Sequence, residues 1–180
     1  MRDLIDDSPA WLSGGYGLDT LLGYASRDHG DIDVSITEDD FPGFAATLPS
    51  WMQLHAAQSG QLAPIDDADE TEPLDNVWCL DTRSGSWCLQ INREAGDSDG
   101  WRYRRVPSIR RAWPLAVREV EGMRVVGPEV QLLWKAADPA AKDEADRAAV
   151  TPLLDDEARR WLHDSILRAH PRSPWSDEFA

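Results

Sequence analysis

Apolar and polar residues alternate strictly over positions 31 to 36, Asp-Ile-Asp-Val-Ser-Ile. A strand turns its side chains over at every second residue, so Ile32, Val34 and Ile36 are predicted on one face and Asp31, Asp33 and Ser35 on the other. Upstream, Trp11-Leu12-Ser13 reads as a strand end broken by Gly14-Gly15. Residues 16 to 22 follow as a helix with Leu18, Leu21 and Leu22 at one-face spacing, and Gly23 is placed to end it. A second helix is predicted over 39 to 48, with Thr37 as its candidate cap and Asp40 three residues on. Residues 50 to 57 read as another strand, and 64 to 75, with six acidic residues, as an exposed loop. Strands at 76 to 82 and 86 to 92 are joined by the turn Thr82-Arg83-Ser84-Gly85. In the second of them, Trp87, Leu89 and Ile91 are expected on the apolar face and Cys88, Gln90 and Asn92 on the other. A further strand is expected at 101 to 106.

From Pro128, a residue suited to a first helical position, the period changes. Val130, Leu133 and Trp134 fall at i, i+3, i+4, and helices are predicted over about 140 to 149 and 155 to 169. Strands first and helices last predict an α+β fold: an α/β core over 1–127, with a helical C-terminal part over 128–180 packed on it.

The chain has 180 residues and a net charge of -15. The length suits one domain, or one with a helical appendage. The charge repels phosphates and argues against non-specific nucleic-acid binding. It suits cationic or metal-bridged ligands, although solubility alone accounts for it. Of 18 basic residues only Lys135 and Lys142 are lysines, which singles them out, since Lys and Arg are not equivalent at phosphate sites. The nine tryptophans are read as mostly core, the remainder as ligand surface. Two cysteines, Cys79 and Cys88, are too few for a disulfide framework and suit a reduced, cytoplasmic chain. The N-terminus lacks the apolar core of a signal peptide, and no apolar run approaches a membrane span.

Asp31 and Asp33 on one strand face would lie within roughly 7 Å of each other. Carboxylates that close repel unless a cation lies between them, and Mg²⁺ commonly takes one or two carboxylates together with substrate phosphates. An ordinary solvated strand face remains the alternative for this pair. Gly14-Gly15, between a strand end and a helix, would let backbone N–H groups approach a phosphate, with the helix start favouring the negative charge. The dinucleotide-binding pattern Gly-x-Gly-x-x-Gly is absent, as are a nucleophile elbow and zinc-ligand spacing.

Together these features resemble the nucleotidyltransferases of the DNA polymerase β superfamily, which pair a Gly-Gly or Gly-Ser turn with Asp-x-Asp on a strand. The segment from Trp11 to Val34 looks like the aminoglycoside nucleotidyltransferase branch, with Asp19 on the helix after the glycines and Arg27, His29, Asp31 and Asp33 as its Arg-x-His-x-Asp-x-Asp run. Pro128-Glu129-Val130-Gln131-Leu132-Leu133-Trp134-Lys135 and Lys142-Asp143-Glu144-Ala145-Asp146 resemble two further segments of that branch.

The resemblance implies a mixed sheet flanked by helices, and transfer of a nucleoside monophosphate from ATP or another NTP to a small-molecule hydroxyl of aminoglycoside type. It implies Mg²⁺ on Asp31 and Asp33, and contacts to the nucleotide from Ser13, Gly14, Gly15, Asp19, Arg27, His29, Lys135 and Lys142. It also implies a third carboxylate near position 90, where Gln90 stands; an amide takes no proton. Asp81 is the first candidate to replace it and Glu94 the second. The alternative is a catalytically weak or inactive binding protein of the antitoxin type, which would have a protein partner. His29 also reads as a hydrogen-bonded structural residue, the two lysines as surface cations balancing Glu129, Asp138 and Asp143, and Asp146 as a partner of Lys142.

Overall fold

The computed structural model describes residues 5, 8–58, 60–67 and 76–179. Among these, ten strands form one mixed sheet in the order β4-β3-β5-β6-β2-β1-β10-β9, with β7 paired to the end of β6 and β8 to β7. They are β1 (Trp11–Ser13), β2 (Asp33–Thr37), β3 (Met52–Gln58), β4 (Gln61–Pro64), β5 (Asn76–Asp81), β6 (Ser86–Asp97), β7 (Gly100–Arg102), β8 (Arg110–Arg111), β9 (Val117–Val120) and β10 (Met123–Val126). The helices are α1 (Gly14–Leu22), α2 (Phe41–Ala45), α3 (Trp113–Ala116), α4 (Pro128–Lys135), α5 (Ala141–Val150) and α6 (Asp156–Ala169). β2 runs antiparallel to β1 and parallel to β6, and β1 runs parallel to β10. The α+β fold is as the order of elements predicts, and the mixed sheet flanked by helices is as the resemblance implies.

Alternation puts apolar residues on both faces of the sheet. On one face, Leu12, Val34, Ile36, Val77, Cys79, Leu89 and Ile91 form a buried cluster that α2 covers with Phe41 and Phe44. On the other, Trp11 joins Leu18, Trp101, Leu132, Leu133, Leu162 and Ile166 in a second cluster. Each fully buried Leu or Ile there contributes on the order of 1.5–3 kcal/mol. The helices after residue 128 thus share a core with the first helix rather than standing apart from it. α1 packs over β1, β10 and β2. Asp155 caps α6 by accepting the Ala158 N–H at 2.8 Å.

Several boundaries differ from the pattern's prediction. α1 begins at Gly14, two residues early, because Gly14 takes a φ of +63° open to glycine alone at little cost. Gly23, at φ +77°, ends it as predicted. β2 begins at Asp33, so Asp31 lies just before the ladder rather than within it. Thr37 does accept the Asp40 N–H at 3.2 Å, but the helix that follows holds only five residues, Phe41–Ala45. The strand expected at 101 to 106 stops at Arg102. Of the loop expected at 64 to 75, Pro64 closes β4, Ile65–Asp67 form a 3-10 turn, and 68–75 lie outside the described residues.

One face assignment is overturned. A bulge between Cys79 and Leu80 pairs Cys79 with Leu89 but Leu80 with Trp87. The extra residue, Cys88, takes up the slip, so Trp87 turns to the face of Gln90 instead of joining Leu89 and Ile91.

Candidate active site

The face that carries Trp11 also carries Ser13, Asp33 and Gln90, which stand in register across three adjacent strands. Above them opens a cleft of about 2040 Å³. Gly14, Gly15, Arg27, His29, Asp31 and Asp33 line it, joined by Lys135 and Lys142 from α4 and α5. Residues more than 100 positions apart in the chain therefore converge on one cleft.

The glycines owe their place to close packing. A Cβ on Gly14 would overlap Asp33 Oδ2, and one on Gly15 would overlap the His29 ring and stand 3.0 Å from Arg27 Nη2. The Gly14 N–H donates to Gln131 Oε1 at 2.7 Å. Contrary to the expected phosphate cradle, that donor is taken, and Gln131 is a site residue the motif reading passed over. Its position one turn after Pro128, inside an otherwise apolar helix face, was the available signal.

The cations are held by carboxylates. Arg27 makes a bidentate pair with Asp146, Nε to Oδ1 at 2.8 Å and Nη2 to Oδ2 at 3.0 Å. Lys135 Nζ lies 2.6 Å from Asp143 Oδ1 and 2.9 Å from Asp146 Oδ2. Asp146 thus pairs with Arg27 and Lys135, not with Lys142 as spacing along the helix suggests. Burial raises the pKa of Asp146, but the Arg27 and Lys135 hydrogen bonds outweigh burial and hold it below the usual carboxylate value. Lys142 is exposed at the cleft wall.

His29 Nε2 lies 2.7 Å from Asp19 Oδ2, and its ring tilts against Tyr16 at 4.6 Å. Asp19 also accepts from Ser26 N and Oγ. Burial raises its pKa, and the Ser26 and His29 hydrogen bonds more than offset that rise. Asp19 accordingly stands behind His29 and orients it, and does not itself line the cleft. Ser13 is set back from the cleft too. It is fully buried, its Oγ accepting from Ser35 Oγ at 3.0 Å and Asn92 Nδ2 at 3.4 Å, beneath the floor rather than in the cleft.

Among the described residues, no carboxylate stands directly across from Asp33 on either neighbouring strand. Gln90 pairs directly with Asp33 and donates from Nε2 to Asn92 Oδ1 at 2.8 Å, which leaves Oε1 as its remaining acceptor. Asp81 is no substitute. It sits at the end of β5, gripped by Arg83 through Nε at 3.0 Å and Nη2 at 2.8 Å, which pulls its carboxyl down to about 2. Glu94 does line the cleft, four positions beyond Gln90 on the same face. Its Oε2 accepts the Trp101 Nε1–H at 2.9 Å, and burial pushes its carboxyl up to about 7.

The donors present fit one Mg²⁺. Burial first, then the Asp31 charge, raises the pKa of Asp33, the signature of two carboxylates that a cation would relieve. No group of three or more His, Cys, Asp or Glu suited to a metal occurs among the described residues. Two carboxylates completed by substrate phosphates and water match what Mg²⁺ usually accepts.

The model of the aminoglycoside-2''-adenylyltransferase family matches residues 4–57, the stretch with both the glycines and the aspartates. Among solved structures, the lincosamide antibiotic adenylyltransferase LnuA with lincomycin bound is 16% identical, over 81% of this chain and 87% of that one, with a TM-score of 0.56. ANT(2'')-Ia in complex with adenylyl-2''-tobramycin is also 16% identical, over 89% and 88% of the two chains, at 0.55. The Megavirus polyadenylate synthase is 12% identical, at 0.51, and this chain spans 35% of its length. No curated protein matches the chain. The fold is that of the nucleotidyltransferases. Over residues 4–57 the chain resembles the aminoglycoside nucleotidyltransferase-like branch.

Proposed function

We propose that the chain binds a nucleoside triphosphate with Mg²⁺ and transfers the nucleoside monophosphate to a hydroxyl of a small molecule, releasing pyrophosphate. The observation that carries this reading is the convergence of Asp31 and Asp33 with Arg27, Lys135 and Lys142 on one cleft over the Gly14-Gly15 helix start. The three cations receive the phosphate tail, Lys135 and Arg27 held ready by Asp143 and Asp146. Asp31 and Asp33 would hold the Mg²⁺, which would supply positive charge to offset that of the phosphates. The family match and the antibiotic-modifying neighbours support an acceptor of the aminoglycoside kind. ATP is the first donor to test, and the NTP-supplied, reducing cytoplasm suits both the donor and the free thiols of Cys79 and Cys88.

One observation favours a second reading. Gln90 offers no proton acceptor beside Asp33, which suits a weak or inactive relative that binds nucleotide and masks a protein partner. Calorimetry with Mg²⁺–ATP, on wild type and on the Asp31→Asn/Asp33→Asn double variant, tests the site; equal binding by both would remove it. Transfer from α-labelled ATP to a panel of aminoglycosides and lincosamides separates the readings. Labelled product supports the first, and a stable host protein with no product supports the second.

A further inference from the structure

The N–H of Gly14 is the first donor of α1, one of the groups that a helix start leaves without an intrahelical partner. An acceptor at a helix start usually comes from the residue just before it, yet the Ser13 side chain makes no capping bond. The acceptor for Gly14 is instead Gln131 Oε1, 2.7 Å away in space and 117 positions along the chain. Gln131 has little freedom to lie elsewhere. Val130, Leu132 and Leu133 beside it are core residues that fix α4, and Gln131 itself is 6% exposed.

Both ends of this bond lead into the site. Gly14 packs against the Asp33 carboxylate, where a Cβ would overlap Oδ2, so the place of the Gly14 peptide limits where that carboxylate can turn. Lys135 follows Gln131 by four residues, which puts both on one face of α4 with a rise of about 6 Å between them. Lys135 pairs with Asp143 and Asp146, and Asp146 with Arg27. Arg27 Nη2 returns to Gly15, the residue after Gly14. The contacts therefore close a ring through Gly14, Gln131, Lys135, Asp146, Arg27 and Gly15. One arc of it borders Asp33, and the other carries the cations.

We propose that Gln131 is a positioning residue: by holding Gly14 against Asp33, one helical turn before Lys135, it fixes the separation between the carboxylates that would hold Mg²⁺ and the cations that receive the phosphate tail, and so makes Mg²⁺ and nucleotide strengthen each other's binding. This rests on the Mg²⁺–nucleotide reading above. Gln131 acts through Gly14 and through α4, not by a contact of its own to the ligand. Without the acceptor, the Gly14 peptide regains the wide freedom of glycine, and α4 loses its tie to the start of α1. Asp33 and Lys135 both remain, but no longer at a set distance. The loss therefore falls on the part of the affinity that needs both at once, which is the coupling between the two ligands.

The test is calorimetry on the full chain with α,β-methylene-ATP, once in excess Mg²⁺ and once in EDTA, and it reads the ratio of the two affinities. Wild type should bind at least about fivefold more tightly with Mg²⁺. Gln131→Met, of similar length but without an amide acceptor, should cut that ratio by about two- to tenfold, with the affinity in EDTA within about twofold of wild type. Gln131→Asn, whose amide falls short of Gly14, should do the same and serves if the methionine variant does not fold. Gln131→Glu keeps an acceptor for the Gly14 N–H and should keep the ratio, because its added charge weighs on both arms. An unchanged ratio in the folded methionine or asparagine variant overturns the proposal, as does a ratio that Gln131→Glu fails to keep. An equal loss of affinity in both arms also overturns it, because that marks a direct nucleotide contact or general damage. Wild type that binds no nucleotide, or binds it no better with Mg²⁺, sinks the Mg²⁺–nucleotide reading itself.

Discussion

Replacing Gln90 by aspartate puts a carboxylate directly across the parallel β2–β6 pair from Asp33. Strand spacing sets the two charges about 5 Å apart, and at an effective dielectric of about 20 they repel by about 3 kcal/mol. Asp33 is already pushed toward its neutral form by burial and by Asp31, so it has no spare tolerance for a third charge. Loss of the Gln90–Asn92 hydrogen bond adds about 1 kcal/mol. At roughly 2–4 °C per kcal/mol for a domain of this size, metal-free Gln90→Asp should melt about 8–16 °C below wild type. A cation that binds only the folded state at a hundredfold excess over its Kd returns about 2.7 kcal/mol. Mg²⁺ should therefore close most of the gap, and raise the melting point of the variant more than that of wild type. The same change supplies the missing proton acceptor. A positioned base contributes on the order of 10²–10⁴ in rate, so transfer of label from α-labelled ATP should rise at least a hundredfold. Gln90→Asn, an uncharged residue of the same length, should show neither effect. Melting indifferent to Mg²⁺, together with an unchanged rate, would refute the assignment of position 90 as the place of the third acid.

Three other perturbations probe the scaffold. Gly15→Ala drives a Cβ into the His29 ring and should cost about 1–3 kcal/mol while weakening Mg²⁺–ATP binding; a melting curve and a titration both identical to wild type would show that the pocket relaxes freely. Glu129 is fully buried between Arg111, at 2.6 Å, and Arg118, at 3.1 Å, and Arg111 keeps Glu157 as a second partner, so Glu129→Ala leaves part of a buried guanidinium unpaired and should lose about 1–3 kcal/mol in urea unfolding; an unchanged stability would contradict this account. Glu94, facing Trp101, Arg104 and Glu38, holds its proton up to about pH 7 when folded against an ordinary value of 4.5, so it detracts from stability progressively as pH rises between those values, by about 3 kcal/mol in all. Glu94→Gln should therefore gain on wild type from pH 4.5 to 7 and hold a constant margin above, and parallel stability profiles would exclude the assignment.

What the sequence made legible follows from the range of the interaction involved. Asp33 and the Gly14-Gly15 pair could be read because strand alternation and backbone freedom are local properties, expressed within a few residues. Gln131 and Asp146 could not be assigned their partners, because each acts on a group more than 100 residues away, Gly14 and Arg27, and helical spacing pointed Asp146 at Lys142 instead. Ser13 and Asp19 carry the motif identities, yet each is already held by its neighbours: a hydroxyl with two donors, Ser35 and Asn92, and a carboxylate with three donors from Ser26 and His29. The misplacement of Trp87 has a different cause. A period of two holds only while the ladder is regular, and the one-residue slip at Cys88 reverses every face assignment N-terminal to it on β6. Without it Trp87 would lie on the face of Leu89 and Ile91 and could not meet the Trp78 ring edge to face at 6.1 Å.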